Sequence, residues 1–541
     1  MKFICAGRGP SLADRSRGSA VPLEAGPLRK GGGKVVSRIL SCTVSGLQAV
    51  PVHVELDIAG GLPGLTIVGL GDTAVRESRE RVLAALRNSG YDLPPARVTV
   101  NLAPADLRKE GSRFDLPIAL GILAALRAFP PGALDGYLVM GELSLTGEVV
   151  GREPAFPAAL LARRCGVGGM ILPWEMAAEA SLVEGACPLP ARRLSEVTEF
   201  LRGRARMERA RPLPVRKPDK GADIMEVCGQ EMAKRALIIA AAGGHNILLV
   251  GPPGSGKTML ASRLPGILPP LGPEESMEVT AIHSIAGLLS PAEGMITTPP
   301  FRSPHHTISH AGLAGGGSSP RPGEVTLAHR GVLFLDEMSE FRRASLETLR
   351  QPLESGKITI SRAARSVSYP ADFLLAGTAN PCPCGYLGHD TRPCSCPPSA
   401  IARYGRRISG PLMDRIDLVV RLRALGPEVL ASGPGGESSE GLRDRVLLCR
   451  KAQTERAAGG TGLNARLSPA RLSELCPLGR EHRNLMEGAM KNLGLTARGY
   501  HRILRVALTI ADLEGETRPS PEHLAEALQY RPVMEGPVSG V

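Results

Sequence analysis

The chain has 541 residues, about three times the length of a common domain, so several domains are expected rather than one core. Apolar residues make up 43% and charged residues 22%, a balance that excludes a fully disordered chain. Lys and Arg number 65 against 53 acids, a formal net charge of +12, while aromatics are only 3%, which disfavours recognition of single strands by rows of stacking rings.

Residues 1–36 hold seven Lys/Arg against two acids and lack an apolar run, so they read as a disordered basic extension and not a secretory signal. Residues 37–201 read as mixed α and β. VPVHVELDI (50–58) and ARVTVNLAP (96–104) alternate like strands, and 73–90 has helical periodicity ending at Gly90. A linker, 202–221, follows with eight Lys/Arg against two acids and with prolines that forbid a continuous helix. Nearly all the excess charge therefore sits in two segments. They read as arms that hold phosphates by point charge, or as a solvated tail and linker. From 222 to 430 strands alternate with helices, the pattern of a parallel α/β sheet. A Gly/Ser-rich break, 431–441, leads to a helical region, 442–531. No run of about twenty uncharged apolar residues occurs, so no membrane-spanning helix and no membrane partner are expected. Eleven Cys in no regular framework fit a reducing cytoplasm.

Three segments carry the chemistry. In HNILLVGPPGSGKTMLASRL (245–264) an apolar strand runs into Gly251, Pro252, Pro253, Gly254, Ser255, Gly256, Lys257 and Thr258, then into a helical pattern. This is the phosphate-binding G-x-x-x-x-G-K-[ST] loop in its required context: Lys257 reaches the β/γ-phosphates of ATP and Thr258 ligates Mg²⁺. Some 75 residues later, GVLFLDE (331–337) delivers Asp336 to the Mg²⁺ shell and Glu337 to the attacking water. The strand in ADFLLAGTAN (371–380) ends in Asn380, able to position that water.

Two further patterns stand out. ESGKITISRAARSVSYPADF (354–373) reads as a hairpin turning at Arg362–Arg365, because both KITIS and SVSYP alternate. Cys382-Pro-Cys384 and Cys394-Ser-Cys396 bring four thiolates within 15 residues, the donor set of a closed, structural Zn²⁺ site, with His389 as a substitute ligand and free thiols as the alternative.

The nucleotide motifs, TAN, GPLMDRIDL (410–418) and LTARGYHRILRVALTIADLE (495–514) resemble AAA+ ATPases of the magnesium-chelatase/MCM branch. GLPGLTIVGLGDTAVRESRERV, PPFRSPHHTISHAGLAGGG and NPCPCG resemble, within it, the ComM/YifB family. The resemblance implies an α/β AAA+ P-loop core with a helical lid, preceded by a Lon-protease-C-terminal-like (ribosomal S5 domain 2-like) α+β domain. It implies a homo-oligomer, a hexameric ring with ATP at subunit boundaries. Arg415 takes the place of the arginine finger and Arg498 that of sensor 2, with Arg502 one turn on as a weaker candidate. The 60-residue stretch before the second nucleotide strand corresponds to a pore-facing helix-2 insert, with Arg302, His305, His306 and His310 as polar candidates. The hairpin corresponds to a presensor-1 element whose Lys357, Arg362 and Arg365 contact the DNA backbone.

The Lon-like part is expected to lack peptidase activity. The nucleophile position falls at or near Arg113, with Ser112 one residue early, and Phe156 stands about where the catalytic lysine belongs. As function, the resemblance implies an ATP-driven helicase promoting branch migration of recombination intermediates in natural transformation. The alternatives are the motor subunit of a metal-inserting chelatase and a protein-remodelling ATPase.

Overall fold

Alternation in 50–58 folds as the strand Gln48–Gly60, in which Val52, Val54 and Leu56 turn inward and are buried. The computed structural model describes residues 37–531 except 70, 94, 108, 110, 213–221, 291, 293, 318–319, 363–364, 432, 434, 458–461 and 494. The basic extension 1–36 and residues 213–221 of the linker thus lie outside the described residues. The chain divides into two compact units. One holds the chain up to Val44 with Ala49–Arg211; the other holds Ser45–Gln48 with the chain from Pro212 on.

The first unit is a seven-stranded mixed sheet in the order Gly64–Val68, Ala96–Ala103, Gln48–Gly60, Ser37–Ser45, Tyr137–Val139, Gly169–Pro173, Pro188–Ala191. Its helix Thr73–Asn88 starts where the Asp72 carboxylate accepts the Val75 N–H at 2.9 Å, satisfying one of the orphan donors of the first turn. The helix Asp115–Ala125 is apolar all round and correspondingly buried from Asp115 to Leu123. Gly121 lets that helix lie directly on the sheet, since a Cβ there would collide with Leu56.

The second unit is built on five parallel strands in the order Phe301–Arg302, Val332–Leu335, Leu374–Ala379, Ile247–Val250, Leu418–Arg421. Successive residues face opposite cores, as the period of two demands. Ile247, Leu249, Val332 and Phe334 join one cluster; Leu248, Leu333 and Leu335 join the other. The first cluster also takes in residues of the helices Glu231–Gly243, Ser439–Arg456, Ala497–Leu513 and Pro521–Gln529. The chain order 2-3-4-1-5 places the phosphate-loop strand between the fourth and fifth strands, so its C-terminal end opens at a topological switch point, where open α/β sheets bind ligands. Among the described residues, no helix is long and apolar enough to cross a membrane.

Candidate active site

The loop leaves Val250 at the sheet's C-terminal edge. A Cβ on Gly251 would come 2.9 Å from the Leu422 carbonyl oxygen, so only glycine fits where the loop passes the exit of the neighbouring strand. Gly254 (φ +79°) and Gly256 (φ +85°) hold left-handed conformations that let the loop curl into the helix Lys257–Ala261. Lys257 is buried. Its ammonium donates to the carbonyl oxygens of Gly251 and Pro252, both at 2.8 Å, and to Asn380 Oδ1 at 3.3 Å. Burial holds its pKa below the ordinary lysine value, and the carboxylates of Asp336 and Glu337 partly oppose that shift.

The strand Val332–Leu335 is buried throughout and ends at two acids whose exposure rises outward, Asp336 half-buried and Glu337 exposed. Thr258 Oγ1 lies 3.1 Å from both Asp336 carboxylate oxygens. A hydroxyl and a carboxylate converging in this way are the hard oxygen donors that Mg²⁺ takes. Thr378, fully buried on the adjacent strand, ties the acids together: its hydroxyl donates to Asp336 Oδ1 at 2.6 Å and accepts the Glu337 backbone N–H at 2.8 Å. Glu337 itself has φ +51°, a left-handed backbone that costs a side-chain-bearing residue about 1–2 kcal/mol. Strain of this kind persists where neighbours enforce it, and here the Thr378 bond does so.

Arg415 follows the helix Gly410–Met413. Its guanidinium donates to Glu354 Oε2 at 2.5 Å and to the Pro411 carbonyl at 2.7 Å. That contact holds the Glu354 carboxyl below the usual carboxylate range. The helix Ala497–Leu513 presents Arg498 to solvent and buries Arg502, whose guanidinium donates to the Ile416 carbonyl at 3.1 Å and to Asp414 Oδ1 at 3.2 Å. Arg502 therefore straps the helix to the segment carrying Arg415, and only Arg498 faces outward.

Profiles of three families match the chain: "Magnesium chelatase, subunit ChlI" over 223–430, "Subunit ChlI of Mg-chelatase" over 54–176, and "Magnesium chelatase, subunit ChlI C-terminal" over 436–531. A protein of Escherichia coli called uncharacterized protein YifB is 44% identical over 490 residues, 90% of this chain and 95% of its own length. Competence protein ComM of Haemophilus influenzae is 44% identical over 496 residues, covering 90% and 96%. The chain belongs to the ComM/YifB magnesium-chelatase-like family. As an AAA+ family this one implies ATP hydrolysis with Mg²⁺, and the P-loop and acid geometry above fits that chemistry. The magnesium-chelatase 67 kDa subunit of Chlorobaculum parvum matches this ComM/YifB-type chain over only 162 residues at 28% identity, 29% of the chain and 23% of that subunit.

The remaining predicted residues of this ComM/YifB-family chain lie in the hairpin, the insert, the cysteine segment and the first unit. Lys357–Arg362 and Arg365–Pro370 pair antiparallel from Lys357↔Pro370 to Arg362↔Arg365, with Ile358, Ile360, Val367 and Tyr369 buried and Lys357 exposed. The side chains of Arg362 and Arg365 lie outside the described residues. A short second hairpin, Gly315–Gly316 with Arg321–Pro322, packs beside the first. The Tyr369 hydroxyl donates to the Pro320 carbonyl at 2.7 Å, and a Cβ on Gly315 would stand 2.8 Å from Ile360 Cδ1. Within the insert, Arg302 makes a two-bond fork to Glu324 at 2.7 and 2.8 Å, so its charge is already matched. The rings of His305 and His306 lie against each other at a 36° tilt with centroids 4.1 Å apart, and His310 begins a short helix.

The sulfurs of Cys382, Cys384, Cys394 and Cys396 all lie within 4.8 Å of one another. His389 is not among them, which corrects its reading as a substitute ligand; its Nδ1 accepts the backbone N–H of Thr391 at 3.2 Å and of Arg392 at 3.1 Å. In the first unit, Arg113 pairs with Glu153 at 2.6 Å, Ser112 donates to Glu142, and Phe156 is fully buried. Reading the sequence missed Thr378, Glu354 and Arg321. Thr378 was visible as the first letter of TAN. Nothing in the spacing marks Glu354, since its partner lies 61 residues away.

Proposed function

We propose that this chain is an ATP-driven DNA motor of helicase type, a homo-oligomeric, hexameric ring in the cytoplasm that moves branched recombination intermediates during DNA uptake. The observation that carries the reading is the pair of packed hairpins: Arg321, Lys357 and the Arg362–Arg365 pair all stand on them, on the same α/β core whose strand ends carry the nucleotide residues. A few placed cations repeated around a ring grip phosphates without base recognition, which suits a chain with few aromatic residues. The name of the Haemophilus influenzae relative, a competence protein, accords with this use.

In this reading Lys257 and the 251–256 loop hold the ATP phosphates, Thr258 and Asp336 hold Mg²⁺, and Glu337 with Asn380 directs the attacking water. Arg415 reaches the γ-phosphate held by the neighbouring subunit and Arg498 senses nucleotide in its own. The first unit is a Lon-C-terminal-like domain without peptidase activity, the helical region 442–531 acts as the lid, and the four cysteines hold a structural Zn²⁺.

The test measures ATP turnover with and without three-way-junction DNA, for the wild type and Glu337→Gln. Junction DNA should stimulate the wild type several-fold, and Glu337→Gln should bind ATP and junction DNA while failing to turn over. If junction DNA neither binds nor stimulates, whereas a protein partner does, the motor acts on protein instead.

A further inference from the structure

The four-cysteine segment is joined to the nucleotide site by contact as well as by sequence. It begins two residues after Asn380, the strand-end amide that accepts a hydrogen bond from Lys257 at 3.3 Å. The Gly385 N–H donates to the Cys382 carbonyl at 3.0 Å, closing a tight turn in which Gly385 has φ +83°. That turn rests on the phosphate loop: a Cβ on Gly385 would stand 2.7 Å from Pro253 Cδ and 4.0 Å from Asn380 Cγ. Of residues 382–396 only Cys382 and Gly385 are buried; the other positions are exposed or half-exposed. A segment with so little core has no apolar burial to fix it, and cross-linking by a metal is the common remedy in small modules of this kind.

The sulfurs are arranged for such a cross-link. Cys382 to Cys384 is 3.4 Å, and Cys394 is 3.6 Å from each. A tetrahedral Zn–S bond of about 2.3 Å gives sulfur–sulfur edges of roughly 3.8 Å, so these three need only a small expansion to receive the ion, and Cys396 Sγ lies within 4.8 Å of each of them. Backbone N–H groups aim at two of the sulfurs, Cys384 N at Cys396 Sγ and Cys396 N at Cys394 Sγ, both 3.4 Å. Backbone donors placed on the sulfurs in this way are the outer-shell contacts that orient metal-ligating side chains.

We infer that Zn²⁺ held by Cys382, Cys384, Cys394 and Cys396 acts as a brace for the phosphate loop: it fixes the Gly385 turn against Pro253 and the strand end at Asn380, so metal occupancy and nucleotide affinity are thermodynamically coupled. This rests on the zinc assignment above but needs no DNA. Coupling between two ligands is reciprocal. If zinc tightens nucleotide binding, nucleotide must slow the loss of zinc by holding Pro253 and Asn380 where the turn docks.

The experiment uses the full chain and two ligands. Zinc content is measured on the purified wild type, and zinc transfer to a coloured chelator is followed with and without a non-hydrolysable ATP analogue plus Mg²⁺. About one zinc per chain is expected, with release slowed at least about fivefold by the analogue, and the analogue should bind at least about fivefold more weakly to metal-stripped protein whose circular dichroism is otherwise unchanged. In Lys257→Ala, which keeps all four cysteines, the analogue should no longer protect zinc. Gly385→Ala should retain zinc but lose most of the coupling, and Cys394→Ser should lose zinc. Fewer than about 0.3 zinc per chain in the wild type overturns the metal assignment itself. Full zinc with identical release rates and unchanged analogue affinity after stripping leaves a structural metal and overturns the brace.

Discussion

Arg415 is held by Glu354 of its own chain, through a 2.5 Å hydrogen bond to a carboxylate three residues before the strand Lys357–Arg362. The residue proposed to act on a neighbour's phosphate is therefore tied to the base of the hairpin proposed to contact DNA. If the hairpin moves on DNA as proposed, the Glu354 anchor moves with it, and release of Arg415 is then predicted to respond to DNA.

Removal of the guanidinium should be severe. An arginine finger contributes about 10³- to 10⁵-fold to turnover, so Arg415→Ala should bind ATP normally and lose at least about 10³-fold in hydrolysis. Mixing it with Lys257→Ala subunits should restore part of the rate, because each supplies what the other lacks across a subunit boundary. Glu354→Gln should do the opposite and raise DNA-independent turnover. Glu354 is exposed, and exposed ion pairs are worth at most about 1 kcal/mol, so the gain should not exceed about fivefold.

Thr378 makes a prediction of its own. Thr378→Val keeps the shape but leaves the part-buried Glu337 N–H without its side-chain acceptor and Asp336 with only the Thr258 hydroxyl as donor. An unsatisfied buried donor costs about 1–3 kcal/mol. Turnover should fall by roughly five- to a hundredfold, with a higher Mg²⁺ requirement in a titration of rate against the metal. An unchanged Mg²⁺ requirement would remove Thr378 from the metal-binding arrangement.

Arg498 and Arg502 should separate cleanly in a melting experiment. Arg502→Ala strips the buried strap from Ile416 and Asp414 and should destabilise by about 2–3 kcal/mol, the scale of charged hydrogen bonds. Arg498→Ala should leave the melting temperature unchanged and lower ATP turnover by about tenfold, in keeping with a group that acts only on developing charge. Equal melting losses for both would assign sensor 2 wrongly.

Deleting residues 1–36 should lower DNA affinity and flatten its dependence on salt, since fewer phosphates are neutralised, while DNA-stimulated turnover survives. Changing Arg362 and Arg365 to Ala together should abolish unwinding of a junction substrate. The two outcomes distinguish tethering from transport; a deletion that stops unwinding, or a hairpin variant that continues it, reverses the assignment.

Much of the nucleotide site was legible in the chain because its parts are local. A strand, a glycine loop, Lys257 and Thr258 are consecutive, and the run VLFLDE carries both its buried strand and its acids. Helix and hairpin periodicities also carried through: 73–90 folds as Thr73–Asn88 with Gly90 at φ +82°, and Arg362 pairs with Arg365 at the predicted turn. His389 stood within the right segment yet lies outside the sulfur cluster, its Nδ1 taken by two backbone donors, a detail of loop geometry that spacing cannot encode.

By itself the sequence determined the chemistry available: which side chains are suited to phosphate and Mg²⁺, where cysteines cluster, and that nearly all the excess charge lies in two segments. Tertiary structure decided which of those groups meet. It set Thr378 between Asp336 and Glu337, Glu354 against Arg415, Arg502 inward and Arg498 outward, and the Gly385 turn onto Pro253. Each depends on strands paired in the order 2-3-4-1-5 or on helices packed across that sheet. Hydrophobic periodicity specifies which face of an element is buried, but not which element from another part of the chain will be buried against it.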